Sequence, residues 1–261
     1  MSCESTGNCR TLESHAPAVL GSFKFDDWSL LLLEDVGPKT APPWTASLTR
    51  AVVGELAAFH ESTARHSLPE WVPTPGLVAS SELRTRRCAF GLEDLVACVA
   101  LVGSKAGEGE RWIKAYGPVL AEASARLPDE AFNRTLIHGD IRSDNLRLVD
   151  GRLIMFDWPQ ASNFPPEFDL AAFAQAATVE GGPVPQVIAN WYAERGAINP
   201  DALDAAVASV AGYFANAAWR PGIPELPRRR AFQREQLKVS LIWAAHRFRL
   251  PEPTWVNEIQ T

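Results

Sequence analysis

The chemistry-bearing residues of this chain lie between positions 138 and 157. They are His138, Gly139, Asp140, Asn145 and Asp157. Carboxylate and amide oxygens are hard ligands of the kind that Mg²⁺ prefers, and magnesium usually shares its ligands with the phosphates of a substrate. A carboxylate beside such a metal can orient an attacking hydroxyl and accept its proton. The residue types therefore fit phosphoryl transfer.

The elements that must position these residues are short strands. Two apolar segments, 146–149 and 152–156, flank an Asp-Gly pair, which is strongly favoured in tight β-hairpin turns. The hairpin returns the chain to its start, so Asp157 is expected to lie close to Asp140 and Asn145. Each feature alone would also fit an ordinary turn and hairpin. Their order and spacing together favour a kinase-type site.

This pattern has a counterpart in a known family. The run His138-Gly139-Asp140, then Asn145 and a later Asp157, resembles the catalytic loop and the metal-binding aspartate of kinases. Glycine after the histidine, where protein kinases carry arginine, and the Asp157-Trp158 pair resemble the aminoglycoside phosphotransferase family of small-molecule kinases.

The resemblance implies a role for each residue. Asp140 would be the catalytic base, and Asn145 and Asp157 would hold magnesium. Arg142 occupies the position where many kinases carry a basic residue that faces the γ-phosphate of ATP. The implied activity is ATP- and Mg²⁺-dependent phosphorylation of a hydroxyl on a small molecule, with an aminoglycoside-, sugar- or amino-alcohol-like acceptor.

The segment that follows Asp157 is short. Residues 158–168 alone separate it from Asp169, whereas protein kinases need a long activation segment to dock and regulate a peptide substrate. This favours a small-molecule kinase. Asp169 is expected to cap a helix at its start, and the family resemblance makes this aspartate structural.

A second feature lies near the N-terminus. Residues 18–23 and 28–33 are predicted to form two strands, and the second ends in Glu34-Asp35-Val36-Gly37. This ending resembles the family's hinge, where backbone groups bind adenine. By that resemblance the Glu34 carbonyl and the Val36 N–H would contact the adenine. A buried strand that ends in a turn is the alternative for this segment taken alone.

The segment before the hinge differs from a complete kinase. Only 33 residues precede Glu34, they contain no Gly-rich loop, and their one lysine, Lys24, lies in a predicted turn. A kinase normally places a Gly-rich loop, a strand lysine and a helix glutamate there. We therefore expect a truncated small lobe with an exposed edge, which leads to the hypothesis of a homodimer. An inactive kinase-like remnant or binding module is the alternative function.

The amino-acid composition excludes several classes of protein. The chain has 261 residues, of which 46% are hydrophobic and 21% are charged, with a net charge of −6. This acidic balance argues against a general nucleic-acid binder. No apolar run reaches the length of a membrane span, and no signal peptide is apparent. The four cysteines show no metal-ligand spacing, so a reduced, cytoplasmic setting is expected.

We therefore expect a protein-kinase-like α+β fold. Residues 1–36 would form the remnant of the N-terminal lobe and the hinge, and residues 37–261 a mainly helical lobe that carries the catalytic hairpin. Apolar stripes at helical spacing predict helices near 45–59, 92–102, 112–127, 167–177, 184–195, 201–217 and 228–248.

Two further expectations concern side chains on these helices. His60 and His66, near the end of the first helix, are expected to face solvent or to cap rather than to catalyse. In the family, the helices after the Asp-Leu-Ala segment form the acceptor pocket. Asp201, Asp204 and Glu225 are candidates to line it, although nothing in their spacing selects them.

Overall fold

A computed structural model describes residues 14–74, 90–129 and 131–260 of the chain. Cys3, Cys9 and Cys88, for which we expect no metal pairing, lie outside these ranges, as does the first part of the predicted 1–36 segment. Cys98 is buried, and burial raises the pKa of its thiol to about 12, so it is a packing residue rather than a reactive one.

The predicted N-terminal strands are present. Strand β1 (Val19–Phe25) and strand β2 (Trp28–Leu33) form an antiparallel hairpin. The hairpin is not buried, contrary to the alternative of a buried strand. Its apolar side chains face solvent, with Trp28 79% exposed, because β1 and β2 pair only with each other within the described residues.

The larger part of the molecule is helical. The described helices are α1 (Ala46–Ala64), α2 (Leu92–Val99), α3 (Ala106–Ala125), α4 (Glu167–Val179), α5 (Pro185–Ala193), α6 (Pro200–Ala218) and α7 (Arg229–Arg247). Among these helices none is long and apolar enough to cross a lipid bilayer. Helix α3 begins at Ala106, before the predicted position 112. Within it, Gly109 packs closely against Trp255, to which an added Cβ would lie 3.2 Å away.

Helix α6 lies at the centre of this lobe and packs against α3, α4 and α7. It is rich in alanine and almost entirely buried, which allows its neighbours to approach closely. At Gly212 the contact is so close that a Cβ would lie 2.7 Å from the Cα atom of Phe90. The core is therefore built around a helix of small side chains.

The remaining strands form two small sheets that carry the site. Strand β3 (Thr135–Ile137) pairs with β6 (Ser162–Phe164), and β4 (Leu146–Val149) pairs with β5 (Arg152–Met155), both antiparallel. The turn between β4 and β5 is the predicted Asp150-Gly151 pair, with φ of 50° and 78°. The catalytic hairpin is thus confirmed as an element of the fold.

Candidate active site

The loop that follows β3 is held by one buried carboxylate. Asp169 accepts a hydrogen bond from the backbone N–H of His138 at Oδ2 (2.7 Å) and one from the N–H of Gly139 at Oδ1 (2.8 Å). Gly139 has φ of 82°, a conformation that glycine adopts without steric cost. This turn aims two consecutive N–H groups at the same side chain and fixes the chain just before Asp140.

Asp169 is itself held by a chain of hydrogen bonds from buried residues of two helices. His60 Nε2 lies 3.3 Å from Asp169 Oδ2, and His60 Nδ1 lies 2.8 Å from the hydroxyl of Tyr192. Burial by itself would raise the pKa of Asp169, but hydrogen bonds from His60 and from the His138 N–H bring it below its ordinary value of 3.8. Asp169 therefore remains ionised although it is fully buried.

Two sequence predictions are corrected here. His60 is 2% exposed rather than solvent-facing, because α1 continues to Ala64 and turns His60 toward the core. Asp169 does not cap a helix, because α4 begins at Glu167 after Pro166 and has no side-chain cap. The structural role that the resemblance implied for Asp169 agrees with its contacts to the loop.

His138 connects the loop to the end of the hairpin. Its Nδ1 accepts a hydrogen bond from the N–H of Asp140 (3.2 Å), and its Nε2 donates to the carbonyl of Phe156 (2.7 Å). These two partners specify a neutral ring with the proton on Nε2. The ring also packs against Trp158, with 4.6 Å between ring centroids. The histidine thus has a positioning role.

Asn145 brings the predicted site residues together. Its Nδ2 donates to the backbone carbonyl of Asp140 (3.0 Å) and to the Asp140 carboxylate (3.2 Å), while its backbone carbonyl accepts from the N–H of Phe156 (2.9 Å). Asp157, the next residue, is exposed and has φ of 60°, an unusual conformation that Asp tolerates better than most residues. Asn145 therefore joins Asp140 and Phe156 in one hydrogen-bonded unit, and Asp157 directly follows this unit in the chain.

The donor set of this unit fits magnesium rather than a soft metal. Both hydrogens of the Asn145 amide are used, and its Oδ1 makes no hydrogen bond to any described residue. The amide oxygen of Asn145 and the carboxylate of Asp157 are both hard ligands. Within the described ranges, no group of three histidine, cysteine, aspartate or glutamate side chains is placed to hold a metal ion, so a site here would depend on Asn145 and on substrate oxygens.

Arg142 lies beside the Asp140 carboxylate. Its Nε is 3.5 Å from Asp140 Oδ1, and its Nη2 donates to Asp144 Oδ2 at 3.1 Å. Its side chain is 44% exposed, so these pairs are screened by water and each is weak. The guanidinium can therefore exchange either carboxylate for a phosphate at low cost.

A support of the loop that the sequence did not reveal is Glu180. One of its oxygens accepts from the hydroxyl of Ser143 (2.7 Å) and the other from the indole N–H of Trp44 (2.8 Å). Ser143 lies between Arg142 and Asn145, so Glu180 fixes the far side of the loop. The partners are too far apart along the chain for a local sequence signal to identify them.

The predicted hinge runs alongside strand β4. Arg147 Nε lies 3.4 Å from the carbonyl of Gly37, and the N–H of Leu148 donates to the hydroxyl of Thr40 (2.9 Å). The Glu34 side chain accepts from the N–H of Ala18 (3.2 Å). The Glu34 carbonyl and the Val36 N–H form no hydrogen bond with other described residues, so both remain available to a ligand.

A cavity of about 610 Å³ opens on the other side of the loop, between it and helices α4, α6 and α7. Its described lining comprises Gly139, Asp140, Ile141, Arg142, Gln160, Phe168, Ala172, Gln175, Val210, Tyr213, Phe214, Arg229 and Gln236. Asp201, Asp204 and Glu225 are not among these residues. Asp204 instead pairs with Arg247 at 2.5 Å, so the sequence expectation for this trio is not met.

The fold has solved counterparts. A choline/ethanolamine kinase family protein from Mesorhizobium loti is 13% identical, with 97% of this chain and 80% of that chain covered and a TM-score of 0.53. An aminoglycoside phosphotransferase from Streptomyces rimosus, solved with ADP and streptomycin, is 18% identical over 78% of this chain and 77% of that chain, with a TM-score of 0.46. An amicoumacin kinase solved with AMP-PNP, Ca²⁺ and Ami is 12% identical over 90% of this chain and 78% of that chain, with a TM-score of 0.48.

The first of these likenesses confirms the predicted protein-kinase-like α+β fold; the other two fall below a TM-score of 0.5 and add nothing to it. No curated protein sequence matches the chain. The model of one family does match, over residues 10–206, and its description is "Phosphotransferase enzyme family". This range contains both the hinge and the whole catalytic loop and hairpin. The chain therefore belongs to the phosphotransferase enzyme family.

Proposed function

We propose that this phosphotransferase moves the γ-phosphoryl group of ATP to a hydroxyl of a small molecule and that it requires Mg²⁺. The main support is the double attachment of Asn145, whose side chain binds the Asp140 carboxylate and whose backbone binds Phe156. These bonds hold Asn145 against Asp140 and against the residue that precedes Asp157, which supports a base and two hard ligands at one loop.

Asp140 has the role of general base in this proposal. The acceptor hydroxyl oxygen forms a bond to the γ-phosphorus while the bond between that phosphorus and the β,γ-bridging oxygen breaks, and ADP departs. The hydroxyl proton passes to the Asp140 carboxylate. Arg142, which contacts this carboxylate at 3.5 Å, would turn to the transferring phosphoryl group and neutralise part of its charge.

Asn145 Oδ1 and the Asp157 carboxylate are the residues that would hold Mg²⁺. When bound, this ion supplies positive charge beside the phosphate oxygens. The adenine would lie against the hinge, where the Glu34 carbonyl accepts from its amino group and the Val36 N–H donates to a ring nitrogen. The contacts of Arg147 and Leu148 to the segment after the hinge would keep the two binding regions in register.

The test is formation of a phosphate ester. Purified protein is incubated with Mg²⁺ and ATP and with hydroxyl compounds that are cationic, uncharged or anionic, and products are followed by phosphorus NMR. We expect ADP and a new phosphomonoester in equal amounts with at least one acceptor, and neither with EDTA. Absence of ester with every acceptor, from protein that is shown to be folded, would contradict the proposal.

One observation favours the alternative of a binding module. The β1–β2 hairpin exposes its apolar side chains, and Lys24 is exposed on it rather than turned toward the hinge. A module without transfer activity would give no phosphate ester and no shift of the melting temperature with millimolar Mg²⁺–ATP. An active kinase should be stabilised by the nucleotide through mass action.

A further inference from the structure

The cavity beside the catalytic loop has an unusual charge for a site that would receive an amine-rich acceptor. Among its described lining residues, the carboxylate of Asp140 is the only acidic group, whereas Arg142 and Arg229 are both cationic. Asp140 is already assigned to the reacting hydroxyl. No acidic side chain of the described lining is therefore left to pair with an ammonium group.

The acidic residues that flank the lining residues Phe168 and Gln236 in sequence have partners of their own. Asp169 accepts from the N–H groups of His138 and Gly139, and Glu167 accepts from the N–H of Asn199. Glu235 pairs with Lys238, and Asp204 in α6 pairs with Arg247 of α7. Glu225 lies in the exposed segment before α7. None of these carboxylates belongs to the described lining of the cavity.

The remaining walls are apolar or neutral. Phe168 and Ala172 of the α4 region and Val210 and Phe214 of α6 provide an apolar floor. Amide and phenol groups of Gln160, Gln236 and Tyr213 provide hydrogen-bonding groups without charge. Arg229 is exposed at the edge and is the first residue of α7, so the positive end of that helix dipole adds to its charge.

We infer that the acceptor is a partly apolar hydroxyl compound that is uncharged or anionic, and that it is not a polyamine. Its apolar side would pack on α4 and α6, its hydroxyl would face Asp140, and any anionic group would face Arg229. The inference depends on the proposed function for the role of Asp140. Of the aminoglycoside-, sugar- and amino-alcohol-like acceptors of the sequence analysis, it excludes the two that carry amines.

The experiment separates charge preference from catalysis. The probes are three para-substituted benzyl alcohols with the same ring and the same reacting hydroxyl. Their second substituent is a carboxylate, a hydroxymethyl group or an aminomethyl group. Their affinities are measured by calorimetry without nucleotide, and their phosphorylation is then measured with Mg²⁺ and ATP. Arg229→Glu tests the proposed contact, and Arg228→Glu is the matched control, because Arg228 is exposed next to it but does not line the cavity.

We expect the carboxylate and hydroxymethyl compounds to bind more tightly than the aminomethyl compound. Arg229→Glu should weaken the carboxylate compound about tenfold and reverse the order, as expected for one partly exposed charge pair and its replacement by repulsion, and Arg228→Glu should leave the order unchanged. Tightest binding of the aminomethyl compound, no binding of any compound, or the same order in Arg229→Glu would overturn the inference. Binding in the expected order without phosphate transfer would refute the proposed function alone.

Discussion

The carboxylate of Asp169 accepts a hydrogen bond of 2.7 Å from the backbone N–H of His138, although 31 positions separate the two residues. A second bond, to Gly139, makes this carboxylate the anchor of the loop that carries Asp140. Tyr192 of α5 bonds His60, and His60 bonds Asp169 on the side away from the loop. A buried chain of hydrogen bonds therefore runs from α5 to the loop and positions the proposed base.

Replacement of this anchor should affect both stability and turnover. In Asp169→Asn an amide NH₂ replaces one of two accepting oxygens, so a buried donor is left without an acceptor, which costs about 1–3 kcal/mol. We expect the free energy of unfolding in urea to fall by that amount and kcat to fall with it. Asp150→Asn, in the exposed hairpin turn, is the control and should change neither. An Asp169→Asn protein of unchanged stability would show that the anchor has no energetic importance.

Asp169 should also make the fold sensitive to acid. Its pKa in the folded chain lies below the ordinary value of 3.8, so its contribution is complete above that value and is lost as the pH falls through the folded pKa. Burial raises the pKa of the neighbouring Glu167, which has the opposite dependence. The difference in unfolding free energy between wild type and Asp169→Asn isolates the contribution of Asp169 from that of Glu167. This difference should shrink as the pH is lowered below about 4. A difference that grows with acidification would contradict this assignment.

Gln175 offers a stabilising substitution. Its Nε2 donates to the carbonyl of Ala172, but its buried Oε1 has no hydrogen-bond partner among the residues that the structure describes. Gln175→Met removes the unpaired oxygen and keeps the shape of the side chain, and should raise the free energy of unfolding by roughly 1 kcal/mol. Gln260→Met, at an exposed position, should leave it unchanged. A destabilised Gln175→Met protein would mean that the oxygen does have a partner in solution.

The β1–β2 hairpin should promote self-association. Its apolar side chains are exposed, with Leu31 60% exposed, and such surface is normally covered. We expect the mass measured by light scattering to rise with protein concentration and to fall in Leu31→Lys. Val184→Lys, at an equally exposed apolar position in another part of the molecule, should have no effect. A wild-type monomer at every concentration would refute the homodimer hypothesis.

The parts of the site that the sequence predicts are those with local causes. The Asp150-Gly151 turn fixes the β4–β5 hairpin through its own backbone conformation, so the bond between Phe156 and Asn145 follows from a few neighbouring residues. The strand character of β1 and β2 is likewise visible in their composition, but their exposure is not, because exposure depends on what packs against them.

The parts that the sequence does not predict depend on distant partners. His60 bonds Asp169 across 109 positions, and Glu180 bonds Trp44 across 136, so no periodic pattern marks either contact. Strand β6 has three residues and is too short for alternation to be recognised. The acid-poor lining of the cavity also arises only when α4, α6 and α7 meet.

The central claim is that Asp140 takes the proton of an acceptor hydroxyl during phosphoryl transfer. The most direct measurement is kcat for phosphate-ester formation, followed by phosphorus NMR, in wild type, Asp140→Asn and the control Asp150→Asn. We predict a loss of about 10²–10⁴-fold in Asp140→Asn, with the same unfolding free energy and nucleotide affinity as wild type, and no loss in the control. Undiminished ester formation by Asp140→Asn would contradict the account.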